Sequence, residues 1–291
     1  MEKQYIHPIS NAGKMLLNYK LNLRVPRASN LLDFKLLLIN SQDKQDVKEL
    51  LSFEKFKKEN YLEEYLKLLK ILGLIYENRK FFLLTNKGNN IKYKLSGTLE
   101  LTESDKDVLK EEFLQMEIVK TFLKDVFNFD ATKKIYPIEE CLSKEDIKKR
   151  YLLYRKVSES VADRESRVIY NWLLNLGIIE SLRIIDNKNN GFNVCYHLIG
   201  KDFDFDNFSK IIKLTIFKAR SKSDWIEVPK VRNLFCLHNN ISKKQFNKFF
   251  IEYVNKYPSD FQLSTGSLLR KEVENEGLEI NNKLYFYIKL T

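Results

Sequence analysis

A chain of 291 residues with 44% hydrophobic side chains is long enough for two or three domains, each with its own core. No run approaches the roughly 18 to 20 apolar residues of a membrane span, and the opening MEKQYIHPIS lacks a signal-peptide core, so a membrane partner is not expected and a cytoplasmic location is. Fifty basic against 39 acidic residues leave +11 at neutral pH, the footprint of a protein that meets a polyanion, although acids interspersed along the whole chain exclude a simple basic tail.

Residues 1–30 carry Pro8, Gly13 and Pro26 with little periodicity, and Lys14, Lys20, Arg24 and Arg27 are spread among them: an irregular basic arm. From Leu31 the apolar residues recur at three- and four-residue spacing through LLDFKLLLI, VKELLSFEKF and NYLEEYLKLLKIL, the pattern of three helices. Gly73 falls where a helix end wants a left-handed residue. Leu74–Tyr76 and Phe81–Leu84 are short β-type runs joined by Glu77-Asn78-Arg79-Lys80, a hairpin that then turns on TNKG. Three helices followed by a two-stranded hairpin is the winged-helix order.

A second pass starts at Thr102, which forms a capping pair with Asp105, and continues through helices at about 103–127 and 143–156. Ser160 is expected to cap VADRESRVIYNWLLNL, which Gly177 ends as Gly73 ends the first, and Ile178–Ile185 with Phe192–Leu198 supply the hairpin. A third pass runs from DWIEVPKVRNLFCL into a helix capped by Ser242, with Phe261–Leu263 and Leu284–Leu290 as strands around a longer insertion. The expected organisation is a mostly helical α+β chain of tandem winged helices: arm 1–30, winged helix 1 at 31–97, winged helix 2 at 98–200, and a linker with winged helix 3 at 201–291.

In such a unit the helix before the hairpin can enter a major groove, so its outward face should carry donors. At 100° per residue Val161, Val168, Ile169, Trp172, Leu173 and Leu176 turn inward, and the opposite face holds Ser160, Asp163, Arg167, Tyr170 and Asn171, with Arg164 beside them. Arginine pairs bidentately with guanine and asparagine with adenine, which makes Arg167 and Asn171, one turn apart, the leading base-reading residues, with Tyr170 and Arg164 alongside. Arg155 and Lys156 just upstream suit phosphates, as do Arg24 and Arg27 of the arm. In the first unit Asn60 and Lys67 face out among Glu63 and Glu64; in the third, Lys244 and Lys248 do, while Phe246, Phe249, Phe250 and Tyr253 have core spacing. The bland counterpart of each is a solvated polar face, and winged helices also serve purely to bind protein.

Other chemistry is weak. Cys141, Cys195 and Cys236 are odd in number and scattered, which argues against a disulfide framework and fits a reducing compartment. Cys195-Tyr196-His197 and Cys236-Leu237-His238 could in principle give a tetrahedral metal site, but the second pair sits on a helix end where i and i+2 diverge, so core cysteines and incidental histidines are expected. Asp202-Phe203-Asp204-Phe205-Asp206-Asn207 alternates like a calcium loop, but Asn207 and Lys213 stand where Gly and a bidentate Glu are needed, leaving an acidic linker. Asp-x-Lys triplets such as Asp33-Phe34-Lys35 lie in helical patterns, and there is no phosphate loop, nucleophile elbow or His-centred triad, so no catalytic residue is expected in this chain.

The stretches SNAGKMLLNYK at 10–20, LKLLKILGLI with FFLLTNKG, and DRESRVIYNWLLNLGIIE, in the order arm and three winged helices, resemble the DNA-recognition region of FokI-like type IIS restriction endonucleases. The resemblance implies sequence-specific binding of double-stranded DNA, with Asn11, Gly13 and Lys14 in a DNA-contacting arm. In that family a cleavage domain follows, and none is legible before YFYIKLT. A fragment of a longer enzyme, a separate specificity subunit partnered by a nuclease, and a relative that binds without cutting all remain open. No cofactor is expected, and Mg²⁺ only if a cleavage domain is supplied elsewhere. The alternative is a non-enzymatic winged-helix regulator or adaptor that binds protein through one or more domains.

Overall fold

In the computed structural model of the chain, residues 25–41, 44–46, 59–78, 81–129, 141–186, 191–200, 202–220, 223–265 and 276–291 are described. The arm residues Asn11, Gly13, Lys14 and Arg24, the helix expected at 47–56, and the turn residues Arg79, Lys80 and Lys188 lie outside them. By its contacts the chain divides into two units, one of residues 1–126 and 151–176, the other of 127–150 and 177–291, so the segment 98–200 contributes to both. The class is α+β, mostly helical, with small antiparallel sheets.

In the first unit Asn30 caps α1 (Leu31–Asn40) by accepting from the backbone of Leu32 and Asp33. A short β1 (Lys44–Asp46) follows, then α2 (Glu59–Ile71), β2 (Ile75–Asn78) and β3 (Phe81–Leu84). The three strands form one antiparallel sheet in the order β1-β3-β2. Gly73 has φ +70°, as a left-handed helix end requires. TNKG, expected as a turn, instead starts a helix, α3 (Asn86–Lys94): Thr85 accepts from the Gly88 N–H and its own hydroxyl donates to the Gly73 carbonyl at 2.7 Å. Gly88 is required here because a Cβ would lie 2.1 Å from the Leu74 carbonyl oxygen.

The 103–127 helix is two helices, α4 (Glu103–Gln115) and α5 (Glu117–Phe127), broken where Met116 is extended. Thr102 and Asp105 form the expected capping box at the start of α4. Asp105 does more than cap. It is fully buried against Lys35 of α1, Nζ to Oδ2 2.7 Å, and the same ammonium donates to Ser96 Oγ (2.8 Å) and the Thr98 carbonyl (3.0 Å). A buried lysine is tolerable only because every proton finds an oxygen. Next to this pair, Phe34, Phe113 and Trp172 stack edge to face, with centroids 5.9 and 5.3 Å apart.

Further along come α6 (Lys144–Arg155) and α7 (Glu159–Asn175), then β4 (Ile179–Asp186) and β5 (Gly191–Leu198), which pair from Ile179↔Leu198 to Asp186↔Gly191. The N-cap of α7 is Ser158, not Ser160, and Gly177 has φ +60°. In the second unit Leu142 makes a two-bond bridge with Tyr196 of β5, and immediately beside it Cys141 is disulfide-bonded to Cys195. This overturns the expectation, from the odd count and wide spacing, that no disulfide forms. Sequence distance hides that the two cysteines are neighbours across a sheet, Cα to Cα 5.4 Å, and the cysteine argument for a reducing compartment falls with it.

The acidic segment expected to be a linker opens another helix, α8 (Phe205–Ala219), with Asp204 as N-cap accepting from Asn207 at 2.8 Å. Then come β6 (Ile226–Glu227), α9 (Val228–Asn239), α10 (Lys243–Lys256) capped by Ser242, and β7 (Phe261–Ser264). An extra hairpin, β8 (Leu278–Ile280) with β9 (Lys283–Tyr285), precedes β10 (Tyr287–Leu290), and the sheet order is β6-β10-β7. Phe208, Phe235, Phe246, Phe250 and Phe261 fill the core, with Phe208 and Phe235 4.8 Å apart. Phe249 and Tyr253 are buried beside them as the spacing predicts. Among the described residues no helix is long and apolar enough to cross a membrane.

Lys35→Met should destabilise the first unit by about 3–5 kcal/mol, because Asp105 is left buried and unpaired; urea unfolding followed by Trp172 fluorescence measures it. Burial raises the Asp105 carboxyl, but the hydrogen bonds from Lys35, Ser96 and Thr102 outweigh it and hold it well below the usual carboxylate range. The stability that the pair contributes is therefore full above the unfolded value of about 4 and is lost as pH falls below it. The difference between the parent and Asp105→Asn should be flat near neutrality and shrink in acid. Denatured but unreduced protein should titrate a single thiol, Cys236, and all three after reduction. Reduction should lower stability by about 3–4 kcal/mol.

Candidate functional site

The helix α7 is the most heavily buried of those expected to present donors. Ala162, Glu165, Ser166, Val168, Ile169, Tyr170, Trp172 and Leu173 are all buried. What stays open is a narrow strip at helical spacing: Ser160, Arg164, Arg167, Asn171 and Asn175, with Asp163 at its edge. Arg167 is the most exposed of its cations, and Arg164 and Asn171 are half-buried. Tyr170 does not belong to the strip. It is 7% exposed, because the core wraps more than half of the helix circumference and takes in the flank on which Tyr170 lies.

Residues 25–30 run against this helix within the same unit. The Trp172 indole N–H donates to the Ala28 carbonyl at 2.6 Å, and the Val25 N–H donates to the Glu165 carboxylate at 3.3 Å. On the other side Glu64 of α2 accepts the Arg27 N–H at 2.6 Å and the Asn30 N–H donates to the Tyr65 hydroxyl at 3.3 Å. These four bonds bring Arg27 to α7. A cleft of 220 Å³ results, lined by Arg27, Ser29, Asp163, Arg164, Arg167, Val168 and Asn171. Four residues chosen from sequence, Arg27, Arg164, Arg167 and Asn171, thus meet at one place.

Glu165, which sequence reasoning passed over, organises the site from below. Its carboxylate is 2% exposed and accepts the Tyr151 hydroxyl at 2.9 Å, with Arg164 Nη2 at 3.1 Å and Arg155 Nη2 at 3.5 Å. Burial, reinforced by the neighbouring Glu165 charge and its hydrogen bond, raises the Tyr151 hydroxyl well above the ordinary phenol range, so it stays a donor at any working pH. Arg155, expected on a phosphate, is a correction: its side chain is only 10% exposed and its guanidinium is directed to Glu165. The neighbouring Lys156 is exposed, in a left-handed conformation (φ 52°) that ends α6 and turns the chain toward α7. On the strip itself Arg167 is hydrogen-bonded to Asp163 one turn earlier, which orients the guanidinium at the cleft mouth.

The remaining candidates lie elsewhere. Lys67 of α2 is exposed but bridges Glu63 and Glu64, at 3.7 and 3.0 Å. Asn60 is in α2, and its side chain lies outside the described residues. Lys244 and Lys248 are exposed on α10 in the second unit. The Cys-x-His pairs do not assemble: Cys195 is consumed by the disulfide, His197 is fully buried with Nε2 3.8 Å from Glu180, and burial pushes the Cys236 thiol far up. Among the described residues no three His, Cys, Asp or Glu side chains converge as a metal requires.

No family model matches the chain, and no curated protein matches it. Two solved structures are similar along nearly its whole length: restriction endonuclease FokI bound to DNA, with TM-score 0.36 and 13% identity over 97% of this chain, and FokI alone, with 0.35 and 14% over 95%. The chain spans 59% and 58% of the length of those two proteins.

Glu165→Leu should cost the first unit about 3–5 kcal/mol, since two arginines and a tyrosine lose their common acceptor in the interior. It should also free residues 25–30 enough for trypsin to cut after Arg27 at protein concentrations where the parent is resistant. Unchanged stability together with unchanged cleavage would contradict the organising role of Glu165.

Proposed function

We propose that the chain binds double-stranded DNA at a specific sequence through tandem winged helices, as the recognition part of a restriction or defence endonuclease. The observation that carries the reading is the convergence of Arg27, Arg164, Arg167 and Asn171 on one cleft beside a single helix strip. Three guanidinium groups and one amide within about two helical turns match the donor set that base edges and phosphates demand. The +11 net charge supplies the long-range attraction.

The strand topology supports the winged-helix part of the reading. Among the described residues a helix, a short strand or bridge, at least one further helix and a hairpin follow one another in each of the three segments, and each time the short strand or bridge pairs with the last strand of the hairpin: β1 with β3, Leu142 with β5, and β6 with β10. In this arrangement α2, α7 and α10 are equivalent by position, and each precedes its hairpin. Only α7 combines exposed arginine with asparagine. α2 presents Glu63, Glu64 and Lys67, and α10 presents Lys244 and Lys248, so α7 reads bases and α10 contributes backbone contacts. The restriction setting rests on the sequence resemblance of the arm and of the first two helix–hairpin joints.

In the reading complex Arg167 exchanges Asp163 for a guanine edge, and Asn171 faces the adjacent base. Arg27 and Lys156, both exposed and outside the helix, hold phosphates that fix the register. Selection from a random duplex library, with and without magnesium, should enrich one sequence in both arms and show no cutting in either. Arg167→Ala should cost about 1–3 kcal/mol at that sequence and relax one position. Lys156→Ala should weaken all duplexes alike and reduce the salt slope by about one. Equal loss on selected and random duplex in the Arg167 variant would count against base reading.

A further inference from the structure

The second unit has its own cleft, of 290 Å³, between the first turns of α8 and the end of α10, lined by Asp206, Ser209, Lys210, Tyr253, Lys256 and Tyr257. We propose that it binds a phosphorylated nucleoside, the phosphate between Lys210 and Lys256 and the base against the ring of Tyr257. This site is built from residues independent of the duplex-reading cleft on α7.

Three features point to that ligand class. The first is an excess of positive charge. The Lys256 ammonium sits over two aromatic rings, 5.2 Å from the Phe205 centroid and 5.4 Å from that of Tyr257. Such rings steady a cation without neutralising it or occupying its N–H donors. Among the described residues neither Lys256 nor Lys210 makes an ion pair, and the nearby Asp260 is engaged by Lys213 at 2.9 Å and by the Tyr253 hydroxyl at 2.9 Å. Two ammonium groups against the single carboxylate of Asp206 leave the cleft cationic on balance, which favours an anion.

The second feature is a half-exposed aromatic ring beside the lysines. Tyr253 is buried, whereas Tyr257, its ring 4.8 Å from that of Tyr253 and carrying the Lys256 ammonium over it, is 37% exposed at the cleft edge. Sequence-tolerant stacking of a base needs such a ring next to a cationic groove. The third is the acceptors. Ser209 spends its proton on the Phe205 carbonyl at 2.9 Å and so offers only lone pairs, and Asp206 makes no ion pair among the described residues. A bare phosphate has no use for acceptors; the N–H groups of a base or the hydroxyls of a sugar do. The volume lies at the lower end of ligand sites and suits one nucleotide.

The same chemistry is offered by a free nucleotide and by one unit of an unpaired strand, and the test separates them. Adenosine 5′-monophosphate, adenosine and orthophosphate are titrated calorimetrically into the intact chain, and a short fluorescent thymidylate strand is followed by anisotropy. The monophosphate should bind more tightly than either of its halves. Lys256→Met, which keeps the apolar stem, and Tyr257→Ala should each weaken it about tenfold while leaving thermal melting unchanged. A strand that binds more tightly than the monophosphate and is displaced by it identifies an unpaired strand as the source; the reverse order identifies free nucleotide. Arg167→Ala should leave every one of these affinities unchanged, so failure of the duplex reading would not imitate failure here. Monophosphate binding no tighter than that of orthophosphate, or variants with the parent affinity, would overturn the proposal.

Discussion

A single carboxylate deep in the first unit sets the terms for the candidate site. Glu165 has almost no access to water, and a buried charge of that kind persists only where hydrogen bonds and opposite charge replace hydration. Its partners come from three separate stretches: the Val25 amide, the Tyr151 hydroxyl with the Arg155 guanidinium, and the Arg164 guanidinium. Satisfying one acid therefore fixes the end of α6, the strip of α7 and the segment that delivers Arg27. A second buried charge, the Lys35 ammonium, plays the same part between α1 and the start of α4, where it gathers the Thr98 and Glu100 carbonyls and the Asp105 carboxylate. Both are polar solutions inside an aromatic core, and both fix geometry more than they add stability.

The helix–hairpin joints rest on a small set of backbone devices. Gly73 and Gly177, both in the left-handed region, end α2, of 13 residues, and α7, of 17, and a short strand or bridge hydrogen-bonds to the second strand of the hairpin that follows each. The segments attached to the hairpins differ. After the first hairpin the chain re-enters a helix at Thr85, locked against the end of α2 by the close approach of Gly88 to Leu74 and by Lys87, whose ammonium donates to the Leu72 carbonyl at 3.0 Å. In the second unit an additional hairpin stands between β7 and β10, tied back by Arg232, which is buried and donates to Glu276 at 2.6 Å.

Much of this is legible in the sequence, and the failures share a cause. Apolar periodicity locates α1, α2, α6, α7, α9 and α10, and the capping residues Thr102 and Ser242 act as their spacing predicts. The elements it misses are those whose first residues resemble something else. TNKG looks like a turn, and DFDFDN like a linker, because Thr, Asn and Asp serve both turns and helix caps. The residues C-terminal to them decide which role they take: in α8 the apolar run IIKLTIF makes the helix, with Phe208, Ile212 and Ile216 buried. For the site, helical spacing finds the strip of Arg164, Arg167 and Asn171. It fails for Tyr170 and Arg155, because a helical wheel assigns faces but not how far the core wraps around them. Glu165 escapes notice because charge on a helix is usually solvated, and its partners, from Val25 to Arg155, are distant in sequence.

The disulfide between Cys141 and Cys195 has a topological consequence for the helix strip. The two residues are 54 positions apart, and the covalent ring they close contains all of α6, α7 and β4. A single peptide-bond break anywhere inside that ring converts a loop into two branches that remain joined through sulfur. The helix carrying Arg167 can thus lose its chain continuity without leaving the molecule, and redox state, not backbone integrity alone, decides whether the two halves separate.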